Sequence, residues 1–385
     1  MAIRVLQVLG TVGLGGAESR VMDIFRHLDR DRIVFDFLVT EGTADEYGSE
    51  IEQLGGRVYH LPAFRMYNYN KYVEACKAFF AEHCDNGVSE YAAVHGHMTS
   101  TAGIYLPIAK SFGVPLTIAH ARSAGVDPGL KGICTKWLRR DLKNRCDIML
   151  ACSDEAGEAV FGKGSDFKFI PNAVDMSDFA YDETLRFEVR DRYGIGDNLL
   201  IGHVGSFRYA KNHEFVLEVF ASLHKSEPKT KLMLVGDGEL RPKMEEKARE
   251  LGIADDVIFT GDKKPISPYY QAFDLFLFPS RYEGMPGTVV EAQATGLPCL
   301  ISDAITSQVT FTGMVKAMPL SRPADRWARM LMRMCDLCGS TAADRAITRG
   351  NVKTLSGEAM SKSMYDVRQQ VEFYEKLYGL TDDKE

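Results

Sequence analysis

The stretch Asp274-Leu275-Phe276-Leu277-Phe278, followed by Pro279-Ser280-Arg281-Tyr282-Glu283-Gly284-Met285-Pro286-Gly287-Thr288-Val289-Val290-Glu291-Ala292, decides the reading of this chain. The apolar run up to Phe278 reads as a buried parallel strand, the glycine- and proline-broken segment as a tight loop, and the residues from Gly287 onward as a helix. Strand, loop and helix in that order build open α/β sheets, which bind ligands beyond the carboxyl ends of their strands. Gly284, Pro286 and Gly287 leave the loop with little side-chain bulk, so its backbone N–H groups and those of the helix start can approach a polar or anionic ligand. Glu283 is held in the loop and Glu291 in the helix's first turns, facing the same crevice. A helix-capping glutamate beside a surface acid is an equally open reading of these residues alone.

The same rhythm runs in both directions from this stretch. Val5-Leu9, Val34-Val39, Val58-Leu61, Ala93-His95, Leu116-Ala119, Ile148-Ala151 and Phe167-Ile170 read as strands, with amphipathic segments between most of them. The pattern restarts at Leu199-Val204 and continues through Lys231-Val235, Val257-Thr260, Asp274-Phe278 and Pro298-Ser302. Two Rossmann-like, doubly wound parallel-sheet α/β domains facing across a cleft are therefore expected. The turn signal Pro171-Asn172-Ala173-Val174-Asp175 breaks the pattern, which places an N-terminal domain over 1–175 and a C-terminal one over 176–358. A helix over 359–380 is expected to cross back to the first domain, with Met364, Val367, Val371, Tyr374 and Leu377 near helical spacing.

Composition narrows the classes. At 385 residues, 45% hydrophobic and 26% charged, the chain is long enough for two domains of roughly 150 to 200 residues. The net charge of −7 argues against a general affinity for nucleic acid, so any polyanion site must be local. No signal-like leader and no run near the ~18 apolar residues of a spanning helix is present, so a cytoplasmic protein is expected. The eight cysteines are scattered, which fits reduced thiols. Cys335-Asp336-Leu337-Cys338 is a lone CxxC without the four ligands of a structural zinc site, and His95-Gly96-His97 is no stronger as a metal signal.

Three further loops carry candidate chemistry. Thr11-Val12-Gly13-Leu14-Gly15-Gly16-Ala17-Glu18 lacks the glycine spacing of a dinucleotide fingerprint, so NAD is not expected, but Gly15 and Gly16 open a helix whose N–H groups can meet a phosphate or sugar oxygen. A tight turn alone is the alternative there. Gly205-Ser206-Phe207-Arg208-Tyr209-Ala210-Lys211-Asn212 puts two cations in the first loop of the second half, where a diphosphate can be neutralised by a lysine point charge and an arginine fork. Solvated surface charge is the competing explanation for either cation. Val235-Gly236-Asp237-Gly238-Glu239 ends the next strand in another glycine turn, so these loops converge on a nucleotide-holding second domain.

Glu283 and Glu291 are separated by seven residues, and in this feature the chain resembles the retaining glycosyltransferases of family 4, which have the GT-B fold. Gly15-Gly16-Ala17-Glu18 is similar to that family's first-domain glycine loop, Pro171-Asn172-Ala173-Val174-Asp175 to its interdomain segment, and Glu291-Ala292-Gln293-Ala294-Thr295-Gly296-Leu297-Pro298 to its EAxAxGxP helix. Phe35-Asp36-Phe37-Leu38-Val39, His95-Gly96-His97-Met98 and Ala151-Cys152-Ser153 further resemble the bacterial branch that builds exopolysaccharide or capsule units.

The resemblance implies a UDP- or GDP-linked sugar donor on the second domain and a glycan or lipid-linked sugar acceptor on the first. It implies that Glu291 grips ribose hydroxyls, that Glu283 and the Gly284-Met285-Pro286-Gly287 loop hold the donor sugar, and that Arg208 and Lys211 hold the diphosphate. His120 matches the family's histidine near the anomeric carbon. One departure is visible: the family commonly starts its phosphate loop Gly-Arg, whereas this chain has Gly205-Ser206 and an arginine only at 208, which makes Lys211 the firmer diphosphate ligand. No Asp-x-Asp motif is evident, so no metal or other cofactor is expected.

Two rivals share the fold: a sugar-nucleotide 2-epimerase, and a non-catalytic nucleotide-sugar-binding partner subunit. Lys131 to Arg145 collects Lys136, Arg139, Arg140 and Lys143 on one side of an expected helix and Cys134, Trp137, Leu138 and Leu142 on another. Such a helix can rest on an anionic membrane, or present a solvated basic face.

Overall fold

The computed structural model describes residues 2–42, 44–123, 125, 130–339, 341, 343–346, 348–349 and 363–379. The chain divides into two compact units, one running to Ala173 and taking up the chain again from Met364, the other spanning Val174–Ser363.

Unit 1 alternates strands and helices: β1 (Ile3–Val8), α1 (Gly16–His27), β2 (Ile33–Thr40), α2 (Gly48–Gln53), β3 (Val58–Leu61), α3 (Tyr69–Glu82), a small hairpin of β4 (Cys84–Asp85) and β5 (Val88–Ser89), β6 (Tyr91–Gly96), α4 (Thr99–Ser111), β7 (Leu116–Ala121), α5 (Leu130–Arg139), β8 (Ile148–Ala151), α6 (Asp154–Phe161) and β9 (Lys168–Phe169). Among the described residues its sheet is parallel in the order β3-β2-β1-β6-β7-β8-β9. Strands covered by helices on both faces must be apolar nearly throughout, and β2 is buried from Ile33 to Val39. The exception inside it, Asp36, is fully buried and satisfied by Arg4 Nε at 2.7 Å and the Arg57 backbone N–H at 2.8 Å.

Unit 2 comprises α7 (Glu183–Arg192), β10 (Leu199–Val204), α8 (His213–Ser226), β11 (Thr230–Val235), α9 (Arg241–Glu250), β12 (Val257–Gly261), α10 (Ser267–Ala272), β13 (Leu275–Phe278), α11 (Gly287–Ala294), β14 (Cys299–Ser302), β15 (Val315–Met318) and α12 (Ala324–Cys338). Its parallel sheet runs β12-β11-β10-β13-β14-β15. In both units the strand order reverses once, beside β1 in unit 1 and beside β10 in unit 2, and a crevice for ligands forms outside the strand ends at such a point. The core of unit 2 packs α8 and α12 through Phe220, Leu223, Trp327 and Leu331 on the inner strands.

One buried charge organises the base of unit 2. Asp274, at the entry to β13, accepts from Arg186 Nη2 at 2.5 Å, Arg190 Nη1 at 3.2 Å and the Leu200 N–H at 2.8 Å, with Arg345 Nε 3.2 Å away. Burial pushes its carboxyl pKa up, yet the surrounding guanidiniums overcome this and hold it below the ordinary value. A last helix, α13 (Val367–Leu377), is capped by Asp366, whose side chain accepts from the Arg368 N–H at 2.9 Å. Its residues Val367 and Tyr374, with Tyr378 beyond it, join the unit 1 core alongside Phe25 and Phe35. Of the helix expected over 359–380, residues 359–362 and 380 lie outside the described residues, and the helix itself starts only at Val367, where Asp366 caps it.

Candidate active site

The strand that turns into the glycine- and proline-broken loop ends at Phe278, next to β10, so the loops after these two strands meet at the point where the order reverses. They are stitched together: Asn212 Nδ2 donates to the Pro279 carbonyl at 3.0 Å, and the Arg281 N–H donates to the Ala210 carbonyl at 2.8 Å. Asn212 adopts a left-handed conformation, φ 58°, which lets the chain turn from the 3₁₀ turn Tyr209–Lys211 straight into α8. That turn aims Lys211 inward. Lys211 Nζ lies 2.7 Å from Glu283 Oε1 and 4.8 Å from the centre of the Phe278 ring, and Ser280 Oγ donates to the same carboxylate oxygen at 3.2 Å. Both partners are mostly buried, so the pair is less screened than a surface one.

Glu291 lies on the first turns of α11, 6% exposed, and its Oε2 accepts from the Tyr270 hydroxyl at 2.8 Å. A Cβ built on Gly287 would come 4.0 Å from Glu291 Oε1, which places the glycine beside that carboxylate at the helix start. Pro286 caps the helix without a side-chain hydrogen bond; the Val289 N–H donates back to the Pro286 carbonyl at 3.1 Å, and helix geometry leaves the Gly287 and Thr288 N–H groups without intrahelical acceptors. The Gly236 turn closes the other flank. Its φ of 138° and a Cβ position only 2.3 Å from the Gly205 carbonyl admit no side chain there. This close approach brings the end of β11 against the lysine loop, where the Phe207 N–H donates to the Asp237 carbonyl at 2.9 Å.

Unit 1 carries a different cluster. His120, at the end of β7, has 0% exposure; its Nδ1 lies 3.0 Å from His95 Nε2, and its buried Nε2 has no partner. His95 Nδ1 lies 2.8 Å from the Tyr378 hydroxyl, and His97 Nε2 2.9 Å from Gln7 Oε1. Burial pushes the pKa of His95, His97 and His120 well below the ordinary imidazole value, and the Arg122 charge adds to the effect. Among the described residues these three histidines are the group able to hold a metal ion, with ligand atoms within 4.8 Å of one another. Their nitrogens are already engaged: both of His95, one of His120, and both of His97, whose Nδ1 accepts from Arg122 Nε at 3.2 Å. A guanidinium donating into the cluster suits hydrogen bonding among neutral rings better than a cation.

The remaining expected residues are spread over both units. Gly15 is the N-cap of α1, and a Cβ there would come 2.2 Å from the Glu18 carboxylate; Gly16 begins the helix with open space around it. Burial raises the Glu18 pKa, partly offset by Arg122. Gly284, Met285 and Pro286 are buried in the loop. Arg208 is exposed and is not drawn into the Lys211–Glu283 pair. The helix expected over Lys131 to Arg145 stops at Arg139, because Asp141 and Asn144 close a separate turn through Asn144 Nδ2 to Asp141 Oδ1 at 2.7 Å. Leu142 is buried, and Arg139 is half-buried with its pKa lowered by burial, whereas Lys136, Arg140 and Lys143 are exposed, as are Ile133 and Trp137.

Several site residues escape sequence reasoning. Tyr270 orients Glu291, Ser280 orients Glu283, and Thr288 places a buried hydroxyl without a partner in the first turn of α11. Arg281 stacks over the Tyr209 ring at 4.5 Å at the lip of the lysine loop. None of these has a residue type unusual enough to signal itself, and only proximity in the fold connects them to the acids.

Two parallel sheets of this order, with the polar loops gathered beyond the strand ends, define the GT-B glycosyltransferase fold. Solved structures agree: Anabaena Alr3699/HepE in complex with UDP and glucose aligns over 98% of this chain and 100% of that one with a TM-score of 0.76 at 18% identity. WaaG, a glycosyltransferase involved in lipopolysaccharide biosynthesis, covers 96% and 99% with a TM-score of 0.72 at 16% identity. Residues 15–173 match the family described as "Glycosyl transferase 4-like domain" and residues 198–336 that described as "Glycosyl transferases group 1". The putative glycosyltransferase EpsF of Bacillus subtilis is 34% identical over 391 aligned positions, 99% of this chain and 98% of that protein. The capsular polysaccharide biosynthesis glycosyltransferase CapH of Staphylococcus aureus is 24% identical over 75% of this chain and 78% of its own. The chain belongs to the group 1, family 4-like glycosyltransferases.

Proposed function

We propose that this glycosyltransferase moves a sugar from a UDP- or GDP-linked donor, with retention of anomeric configuration and without a metal, to a glycan or lipid-linked sugar in exopolysaccharide or capsule assembly. The observation that carries the reading is the Lys211–Glu283 pair at 2.7 Å, held where unit 2 reverses its strand order. A sugar nucleotide presents an anion and a set of hydroxyls on either side of the bond that breaks. The pair offers a cation for the first and a carboxylate for the second. A diphosphate carries more charge than one carboxylate, so it draws the ammonium from Glu283 and frees that acid to accept from sugar hydroxyls. Glu291, steadied by Tyr270, accepts from the ribose hydroxyls in this reading.

Glycosyl transfer builds positive charge on the anomeric carbon and negative charge on the departing diphosphate. Lys211, already drawn from Glu283 when the donor binds, and the Gly287 and Thr288 N–H groups at the start of α11 meet that negative charge as it develops, which is how a preorganised site lowers a barrier. The acceptor attacks from the face the diphosphate leaves, and a diphosphate oxygen takes its proton, which accounts for retention with no further base. The exopolysaccharide assignment leans on the names of EpsF and CapH. A lipid-linked acceptor fits the outward-facing Ile133 and Trp137 beside Lys136 and Arg140, a surface that can rest on anionic lipid. No helix among the described residues is long and apolar enough to cross a membrane.

A panel of UDP-, GDP- and ADP-sugars tests the reading by thermal shift, since a ligand of the native state raises apparent stability by mass action. One UDP- or GDP-sugar is expected to raise the melting temperature with EDTA present, and to be consumed only when an acceptor is added. If no activated sugar shifts the protein, or if the donor alone is converted to an epimer, the assignment is wrong.

A further inference from the structure

The histidine cluster of unit 1 has a direction. Arginine has donors and no acceptor, so the 3.2 Å contact from Arg122 Nε fixes His97 Nδ1 as an acceptor. A neutral His97 then carries its proton on Nε2 and donates it to Gln7 Oε1 at 2.9 Å. That settles the Gln7 amide, whose Nε2 donates to the Tyr378 hydroxyl oxygen at 3.4 Å. The buried Tyr378 hydroxyl has one proton to place, and among the described residues His95 Nδ1 is the acceptor within its reach, so Tyr378 donates there at 2.8 Å. His95 must therefore carry its proton on Nε2 and donate to His120 Nδ1 at 3.0 Å. The His95 and His120 rings lie 9° from parallel with centroids 5.2 Å apart, which is the geometry of an in-plane N–H···N contact between nearly coplanar rings.

We propose that this one-way chain, running Arg122, His97, Gln7, Tyr378, His95, His120, locks His120 in the tautomer with its proton on Nε2 and so presents an N–H donor to an oxygen of a bound sugar. Gln7, His95, His97 and Tyr378 are positioning residues in this scheme, and Tyr378, just past the end of α13, links the C-terminal segment to the state of His120. His120 Nε2 is buried and without a partner, as a donor awaiting a ligand oxygen would be. The imidazoles are neutral because burial outweighs every other influence on them, so no link of the chain is replaced by a charged ring. The sugar ligand rests on the transferase function proposed for this protein; the tautomer does not, because it comes from contacts within unit 1.

Nitrogen NMR on histidine-labelled protein without ligand reads the tautomer directly. His120 is expected to show a protonated Nε2 and a bare Nδ1, and the reverse pattern or a doubly protonated ring would overturn the proposal. The variants His95→Gln and His95→Leu separate direction from packing. A glutamine amide can accept from Tyr378 with its oxygen and donate to His120 with its nitrogen, whereas leucine can only fill space. The glutamine variant is expected to keep the single His120 tautomer and the leucine variant to show a mixture. Equal spectra for the two would refute the chain. Tyr378→Phe removes one link and is expected to mix the tautomers and lower kcat by about threefold to tenfold, the range of one hydrogen bond, with a smaller change in KM. An unaltered His120 spectrum in that variant would also refute it. A correct spectrum together with no sugar-nucleotide turnover would instead leave the chain standing and overturn the transferase reading.

Discussion

The two candidate sites, one in each unit, handle buried polarity in opposite ways. Unit 2 keeps its key groups charged and paired: Asp274 among three arginines at the base of the sheet, and Lys211 with Glu283 at the top. Unit 1 also pairs one buried acid, Asp36 with Arg4, but at its histidine cluster it strings neutral imidazoles, an amide and a phenol in series, from Arg122 to His120. The difference is one of use. An ion pair can be traded, because a ligand of higher charge takes one partner and releases the other. A neutral chain cannot trade without breaking, but it can fix which atom carries a proton. On the roles proposed for them, one site is built for exchange and the other for orientation.

The comparison breaks most severely if one charge is removed from a closed cluster. Asp274→Ala leaves Arg186, Arg190 and Arg345 buried without their common carboxylate, and stranding buried charge of this kind costs about 3 to 5 kcal/mol. Urea unfolding of the variant is expected to show a loss of that size, and a loss below ~1 kcal/mol would mean that the arginine contacts to backbone carbonyls alone hold the site. At the exchangeable pair the cost falls on catalysis. Lys211→Ala is expected to lower turnover by about two to three orders of magnitude, equivalent to ~2.7 to 4 kcal/mol of lost charge stabilisation, while the melting temperature stays near that of the parent. Near-parental transfer by the purified variant would remove Lys211 from the diphosphate.

How much of this is legible in the sequence depends on the range of the contacts. The strand, loop and helix at Leu275 to Ala294 are legible because periodicity and glycine placement are local, and the acids come with them. Helix α5 reads too long because its amphipathic period continues past Arg139, while the turn that ends it rests on Asp141 and Asn144 bonding each other. Strand β15 escapes the pattern because Val315–Met318 is short, half exposed and without a strong apolar run. Gly236 is visible as a turn, but not its reason, a contact with the Gly205 carbonyl in another loop. His95 and His97 look like a weak metal signal, since nothing local says that Tyr378, 283 residues away from His95, supplies the hydrogen bond.

A smaller change sharpens the contrast inside unit 2. Glu291→Gln keeps an oxygen to accept from Tyr270 but loses the charge that strengthens hydrogen bonds to ribose hydroxyls, so the donor KM is expected to rise roughly tenfold with kcat less affected. Tyr270→Phe should move the same parameter by less, about 0.5 to 1.5 kcal/mol, because the acid remains and only its orientation loosens. If kcat fell and KM did not, Glu291 would be acting on the transition state and the ribose assignment would fail.

Acid should expose the neutral histidines before it touches the paired carboxylates. Burial lowers the pKa of His203 to about 4 and that of His213 to about 2, and it pulls those of His95, His97 and His120 well below the ordinary value of 6.5. Unfolding returns each ring to that ordinary value, so between about 6.5 and the folded value the unfolded chain binds more protons. Stability from these rings is therefore complete above about pH 6.5 and drains away as the pH falls through the window. Asp274, whose folded pKa is depressed, adds its own loss only when the pH falls below the unfolded carboxylate value near 3.9. Each histidine contributes a slope approaching about 1.4 kcal/mol per pH unit between pH 6 and 5. The chain's two tryptophans divide the readout, Trp137 in α5 and Trp327 in α12, so a Trp137→Phe background reports unit 2 alone by fluorescence. In that background His203→Asn removes one titrating ring and is expected to flatten the pH dependence of urea unfolding by about that slope, whatever it does to stability at pH 7.5. An unchanged slope would mean that His203 is protonated in the folded protein at pH 5, and that unit 2 tolerates there an unpaired buried charge of the kind it pairs at Asp274 and Lys211.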